Sequence, residues 1–360
     1  MNNDDYSVKT VITFGGAFIA FLIGSGFATG QEVLQYFTSY GYRGIAGAVL
    51  TLILLLFVGV SFITVGQEEK FERSSDIFRY YCGDTLGGFF DYFATVFIYL
   101  SFVVMIAGAG ATVEQHFGLP VYVGGVLMAL MAGFTVSFGL GRIVDVIGRI
   151  GPTIVVISIG LGLVSIFGNF DGIARGQEAL PTMNIMKASS NWIFAAGSYV
   201  GFCMLWLASF LAAMGATAKS RKEAAYGAGL GAIGFSLAVI VVALGLLAYV
   251  KDVAASQIPM LILAEKVHPM LANGFSLIIV AGIYTTAVPL LWSVSSRIAE
   301  DKSPRFRTAT IILAVAGLVV GIYLPFARLV NIVYVINGYV GILLLGIMVL
   351  KSFRQRVAKA

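Results

Sequence analysis

Apolar residues fill ten stretches long enough to cross a bilayer, near residues 9–39, 43–66, 87–115, 120–140, 150–168, 189–217, 225–250, 270–298, 308–325 and 329–350. Roughly 20 helical residues span the hydrocarbon, and every backbone N–H and C=O inside it must find a partner within the protein. The pattern therefore predicts an all-α integral membrane protein of ten transmembrane helices. The connectors supply an independent check, because Lys and Arg in short loops favour the cytoplasmic side. With the N-terminus inside, seventeen of the 23 basic residues fall on the inner face, in groups such as Lys70, Arg73 and Arg79, or Arg297, Lys302, Arg305 and Arg307, with Arg142 and Lys359 among the rest. The six outside are Arg43, Arg175, Lys187, Lys251, Lys266 and Arg328. A miscount by one span would put successive groups on the wrong sides. Ten crossings of the cell membrane with both termini cytoplasmic are expected.

Ten spans divide into five and five at the longest outer connector, residues 169–188. An odd number per half forces opposite orientations, the condition for an inverted repeat, here residues 9–168 and 189–350 of a single transmembrane domain over 1–360. In such repeats the solute site lies near the midplane, built from helices interrupted by Gly or Pro at matching places. Span 1 contains Gly24-Ser25-Gly26-Phe27-Ala28-Thr29-Gly30 and span 6 contains Gly197-Ser198-Tyr199-Val200-Gly201, so helices 1 and 6 are expected to be discontinuous. Each Gly weakens a helix by roughly 1 kcal/mol relative to Ala, although Gly also lets helices pack closely. In span 1 the polar Thr29, Gln31 and Glu32 that follow favour a break. Unwound backbone would offer N–H groups to a carboxylate and C=O groups to a cation.

Composition removes other classes. The chain is 59% hydrophobic and 11% charged with a mean hydropathy of +0.93, against roughly 45–50% and 25% in a soluble domain, so a soluble enzyme is excluded. Two Cys and two His give no disulfide framework or metal cluster, and no cofactor is expected. The basic residues form no long run that would bind nucleic acid. A Gly-x-x-x-x-Gly-Lys-Ser/Thr loop is absent, so an ion gradient rather than ATP is the expected energy source. The expected partners are a small-molecule solute and lipid, with no obligate protein partner.

Span 8 presents Gly282, Thr285, Thr286, Pro289, Ser293 and Ser296 at three- and four-residue spacings, one small polar stripe on an apolar helix. Glu32 lies deep in the outer half of span 1, where a carboxylate is costly and usually functional. It could carry a proton, pair with a cationic group of the solute, or cap the half-helix after the break.

The stretch Ile23-Gly24-Ser25-Gly26-Phe27-Ala28-Thr29-Gly30-Gln31-Glu32 resembles the first helix of the amino acid–polyamine–organocation superfamily, and its second half resembles the YkvI-type amino-acid permeases. The resemblance implies a LeuT-like fold and a secondary transporter of a small organic solute, an amino acid above all, working by alternating access. It places sodium, the expected coupling ion, between the carbonyls of Ala20, Ile23 and Gly282 and the hydroxyls of Thr285 and Thr286. It places the solute against Gly24, Ser25, Gly26, Phe27, Thr29, Ser198 and Tyr199, with Tyr99, Phe202 and Trp206 as aromatic walls. In some relatives a span 5 lysine replaces sodium, but residues 150–168 hold no ionisable side chain, so Glu32 is the candidate for proton coupling, while Asp91, Glu114 and His116 at the ends of span 3 read as solvated helix termini. A ligand sensor of the germinant-receptor type is the alternative from another class.

Overall fold

Each of the ten apolar stretches folds as helix in the computed structural model, which describes residues 6–137, 144–300 and 302–357, the side chains of 144–152 and 355–357 set aside. Residues 138–140, Arg142 and Lys359 lie outside this range. The first stretch is broken into α1 (Val8–Leu22), α2 (Ser25–Thr29) and α3 (Gln31–Tyr36). There follow α4 (Tyr42–Glu69), α5 (Asp76–Phe117), α6 (Val121–Ser137), α7 (Val144–Gly168), α8 (Phe170–Ala179), α9 (Trp192–Ala216) and α10 (Arg221–Ala248). The chain closes with α11 (Val250–Val253), α12 (Pro259–Val267), α13 (Pro269–Ile298), α14 (Pro304–Tyr323) and α15 (Phe326–Val357). Seven of these, α4, α5, α9, α10, α13, α14 and α15, are long and apolar enough to cross a membrane. The other three stretches hold the broken first helix, the shorter α6, and α7, whose Thr153–Gly168 part turns through 88° into the segment that begins α8.

Three helices lie where connectors were expected, the four-residue α11 and the longer α8 and α12. α8 carries a single buried large apolar residue, Ile173, beside Gly172 and Gly176, too weak a pattern to read from sequence. It docks on the end of α10, where Asn169 Nδ2 donates to the Ala248 carbonyl at 2.8 Å. α12 starts at Pro259 and buries Met260, Leu261 and Leu263, but its nine residues are too short to register as a span. α5 bends at Gly83, whose φ of 72° interrupts the helix, so its first turns precede the stretch read from residue 87.

Glycine sets how closely the helices approach. On α10, a Cβ at Gly227 or Gly231 would lie 2.5 Å from the Cβ of Phe14 or Phe18, so the four-residue spacing on α1 fits a groove of equal spacing. On α4 and α9 the contact is backbone to backbone, Gly66 against Ala212 and Gly215 against the Ile63 carbonyl. These contacts also fix direction. α1 runs parallel to α10 (Phe14 on Gly227, Ile19 on Gly234), and α4 parallel to α9 (Gly47 by Trp192, Gly66 by Ala212). α5 runs antiparallel to α13, with Gly108 by Ile283 and Asp91 bonded to Arg297. The N-terminal turn is held by Glu223, which accepts the backbone N–H of Ser7 at 2.9 Å and of Lys219 at 2.8 Å.

The expected break in span 6 is not there: α9 is continuous through Gly197–Gly201. Gly201 instead meets α15 at van der Waals limits, since a Cβ there would stand 2.0 Å from the Gly338 carbonyl, and one on Gly341 2.0 Å from the Gly201 carbonyl. Two helices in backbone contact need residues without side chains, and that need is met without unwinding either. Gly201→Ala is therefore expected to lower thermal stability by about 1–3 kcal/mol through overpacking. Gly346→Ala, where nothing lies within 4 Å, should be neutral or slightly stabilising. Equal melting temperatures of the two purified variants would contradict this packing.

Candidate functional site

The break in the first helix creates the site. After Leu22 the chain is extended at Ile23 (ψ 96°) and Gly24 (ψ −171°), makes the single turn α2, then passes Gly30 in the left-handed region (φ 81°) before α3. The interval 24–30 is thus a helical turn held between two interruptions rather than one unwound run. Thr29 is spent on the second of these: its hydroxyl donates to the Gly26 carbonyl at 3.1 Å and accepts the Gln31 N–H at 3.3 Å. Gly30 also lies under α12, with a Cβ there only 2.7 Å from Met260 Cγ.

The first interruption meets the polar stripe of α13. The Thr286 hydroxyl lies 3.1 Å from both the Ile23 and Gly282 carbonyls, and Thr285 Oγ1 donates to the Gly282 carbonyl at 2.9 Å. The Ala20 carbonyl accepts the Ile23 N–H at 3.4 Å. All five residues expected around sodium are therefore linked in one group, and Gly282 also packs against α7, where a Cβ would stand 2.1 Å from the end of Ile154.

Beyond Gly24 the chain turns back on itself through Glu32. The Glu32 carboxylate is 2% exposed; its Oε1 accepts the Tyr199 hydroxyl at 2.9 Å, and its Oε2 would stand 2.3 Å from a Cβ on Gly26. Gly at 26 is what lets the carboxylate fold over the broken segment. Around it stands an aromatic cluster, with Tyr199 and Phe202 centroids 4.9 Å apart, Tyr36 and Tyr199 at 5.3 Å, Phe202 and Tyr334 stacked at 4.8 Å, and Phe97 and Trp206 stacked at 5.5 Å. Ser25 Oγ, Tyr36 OH, Tyr334 OH and Trp206 Nε1 are buried without a hydrogen bond of ordinary geometry among the described residues. Ser25 is near Tyr334 and Ser198 near Tyr36.

Several expected contacts fall elsewhere. The Tyr99 hydroxyl donates to the Leu313 carbonyl of α14 at 3.0 Å, away from the cluster; span 3 presents Phe97 instead, two residues and about 200° away around the helix. Phe27 turns its ring to Phe235 of α10 at 5.5 Å. Ser198, by contrast, stays beside Tyr36 at the edge of the cluster, with its hydroxyl also 3.5 Å from the Val335 carbonyl of α15. Tyr36, Phe97 and Tyr334 are additions. Tyr36 stands one turn after Glu32, a helical spacing visible in the sequence, whereas nothing local marks Tyr334.

Polar contacts close the cluster on both sides. Beyond Tyr36, buried Gln35 donates to the Ala327 carbonyl at 2.8 Å and accepts from Asn331 Nδ2 at 2.9 Å, while Gln257 accepts the Ala327 N–H at 3.0 Å. At the opposite end Arg297 of α13 donates to both oxygens of Asp91 on α5, at 2.7 and 3.2 Å.

With its first helix broken beside the Gly282, Thr285 and Thr286 stripe, this all-helical arrangement matches the LeuT fold of solved transporters. The chain overlays MhsT, solved with L-phenylalanine, with a TM-score of 0.61 at 14% identity over 88% of this chain and 79% of MhsT. It overlays inward-facing Mhp1 with a TM-score of 0.57 at 16% identity over 94% and 75%. A manganese transporter of Eremococcus coleocola gives 0.51 at 13% identity over 99% and 74%. In sequence the chain resembles the membrane protein YkvI of Bacillus subtilis, 23% identical over 94% of this chain and 95% of YkvI, and YyaD of the same organism, 23% identical over 90% and 91%. No family model matches the chain.

Gln35→Ala would strip partners from Asn331 and Ala327 at once. It is expected to cost about 1–3 kcal/mol and, in a Cys82→Ser background, to speed maleimide labelling of buried Cys203 several-fold. Unchanged labelling would mean that this network does not hold the site closed.

Proposed function

We propose that this protein is a secondary active transporter that moves a small organic solute, with an amino acid the expected class, by alternating access coupled to sodium. The observation that carries the reading is the Ile23 carbonyl, released by the break and met by the Thr286 hydroxyl of α13, which also lies 3.1 Å from the Gly282 carbonyl. Carbonyls at a broken helix and hydroxyls of a facing helix form the oxygen cage that LeuT-type carriers use for a cation. Here Ala20, Ile23, Gly282, Thr285 and Thr286 would hold sodium, and Gly24, Ser25, Gly26, Tyr199, Phe202 and Trp206 would face the solute.

Ten crossings, with residues 9–168 and 189–350 as inverted halves and both termini cytoplasmic, complete the proposal. Helix directions support it. Spans 1 and 7 run parallel, as do 2 and 6, while 3 and 8 oppose one another, as alternation along ten spans requires. The halves differ locally, since span 1 is broken and span 6 is not.

A second reading rests on Glu32, a membrane-depth carboxylate bonded to Tyr199 that could couple transport to protons. The two readings separate in proteoliposomes. Thr285→Ala and Thr286→Ala each remove one oxygen from the sodium group and should abolish most sodium-driven uptake. Because coupling is reciprocal, sodium and solute should tighten one another by the same factor in the wild type, and both effects should shrink together in the variants. Accumulation that ignores sodium, survives both threonine changes and vanishes in Glu32→Gln would establish proton coupling instead. Binding without any uptake would favour the sensor.

A further inference from the structure

Among the described residues no Lys, Arg or His is paired with Glu32; the ion pairs Arg79–Asp76, Arg221–Glu68, Lys266–Asp252 and Arg297–Asp91 all lie elsewhere, with partly exposed partners. A carboxylate in the bilayer interior ordinarily pairs with a counter-charge or faces a ligand path. The groups that surround this one are unusual for a purely structural acid. Tyr199 donates to it, and the hydroxyls of Ser25, Tyr36 and Tyr334 are buried without an ordinary hydrogen bond. Tyr199 bonds to it and Tyr334 shares with it the space beside Gly26, and the rings of Tyr36 and Phe202 pack against these two.

The three cations that could neutralise it make different demands. A proton would neutralise the carboxylate but bring no further donor to the hydroxyl oxygens of Ser25, Tyr36 and Tyr334. Sodium would need a shell of oxygens, and the group that offers carbonyls lies at Ile23 and Gly282, not among these rings. An organic ammonium brings several N–H donors, one for Glu32 and others for hydroxyl oxygens, and a positive charge that aromatic faces attract. The Trp206 indole N–H, a donor, remains for an acceptor elsewhere on the solute. Unbroken α9 strengthens the point: its carbonyls are engaged within the helix, so on that side of the site the oxygen that meets an ammonium comes from a side chain.

We infer that Glu32 is the counter-ion of the transported solute's ammonium group, so that an amine is required for recognition. This rests on the carrier reading for its physiological meaning, but its test does not. The purified full-length protein is melted in sodium with two matched series: phenethylamine, phenylalanine and hydrocinnamate, then isoamylamine, leucine and isocaproate. In at least one series the amine and the amino acid should raise the melting temperature while the acid does not.

Glu32→Gln should weaken amine binding by about tenfold to a hundredfold, the loss of a charged hydrogen bond, while stabilisation by sodium alone persists and reports that the variant is folded. Glu32→Asp keeps the charge at shorter reach, so it should lose less and still prefer amine to acid. The inference is overturned if no amine stabilises the wild type, if the acids bind as well as the amines, or if Glu32→Gln keeps full amine affinity. Should Glu32→Gln not fold, equal binding of acid and amine by Glu32→Asp overturns it as well. Amine binding without sodium-driven uptake would defeat the carrier reading and leave the ammonium assignment standing.

Discussion

Hydrocarbon supplies no hydrogen-bond partner, so a helix broken at membrane depth must have its freed backbone groups satisfied by the protein. That constraint organises this molecule around Ile23 and Gly24. The carbonyl released at Ile23 is taken by Thr286, which holds α13 against the break. Gly108 of α5 lies tightly against Ser25, and Gly282 of α13 against the end of the Ile154 side chain, where any Cβ would force the neighbour to shift. Three helices thus converge on a break of two residues because that break has to be lined.

Glycine performs two opposed tasks along the same chain. At Gly24 and Gly30 the backbone leaves the helix, at Gly30 through a left-handed conformation. At Gly201, Gly338 and Gly341 it stays helical and permits contact between backbones. What separates the cases is the surroundings. Each interruption in span 1 has a hydroxyl to meet it, Thr286 at one and Thr29 at the other, while span 6 meets another glycine-rich helix and keeps its own hydrogen bonds. The result is an asymmetric centre with one broken helix, one intact helix, and a glutamate reaching between them.

That centre is enclosed by contacts of different strength. The Gln35, Asn331 and Gln257 network is buried or partly buried and neutral, built from hydrogen bonds whose partners are left unsatisfied if it opens. The Asp91–Arg297 pair at the far end is partly exposed, where ion pairs are typically worth less than about 1 kcal/mol. Such a difference would let one side open more readily than the other.

Much of this was legible in local pattern. The ten apolar stretches, the break after Ile23, the Gly282, Thr285 and Thr286 stripe and the anomaly of Glu32 are matters of spacing and burial that a linear chain records. Position within a helix was harder: Tyr99 and Phe97 are both aromatic, and only packing decides that Phe97 joins the cluster while Tyr99 bonds to Leu313. Tyr334, more than 300 residues from the Glu32 it flanks, left no local mark. Hydropathy determined where the chain enters lipid, because transfer free energy is a property of each segment. Whether a glycine breaks a helix or joins two was decided only by what faces it, because a backbone group is satisfied in tertiary space.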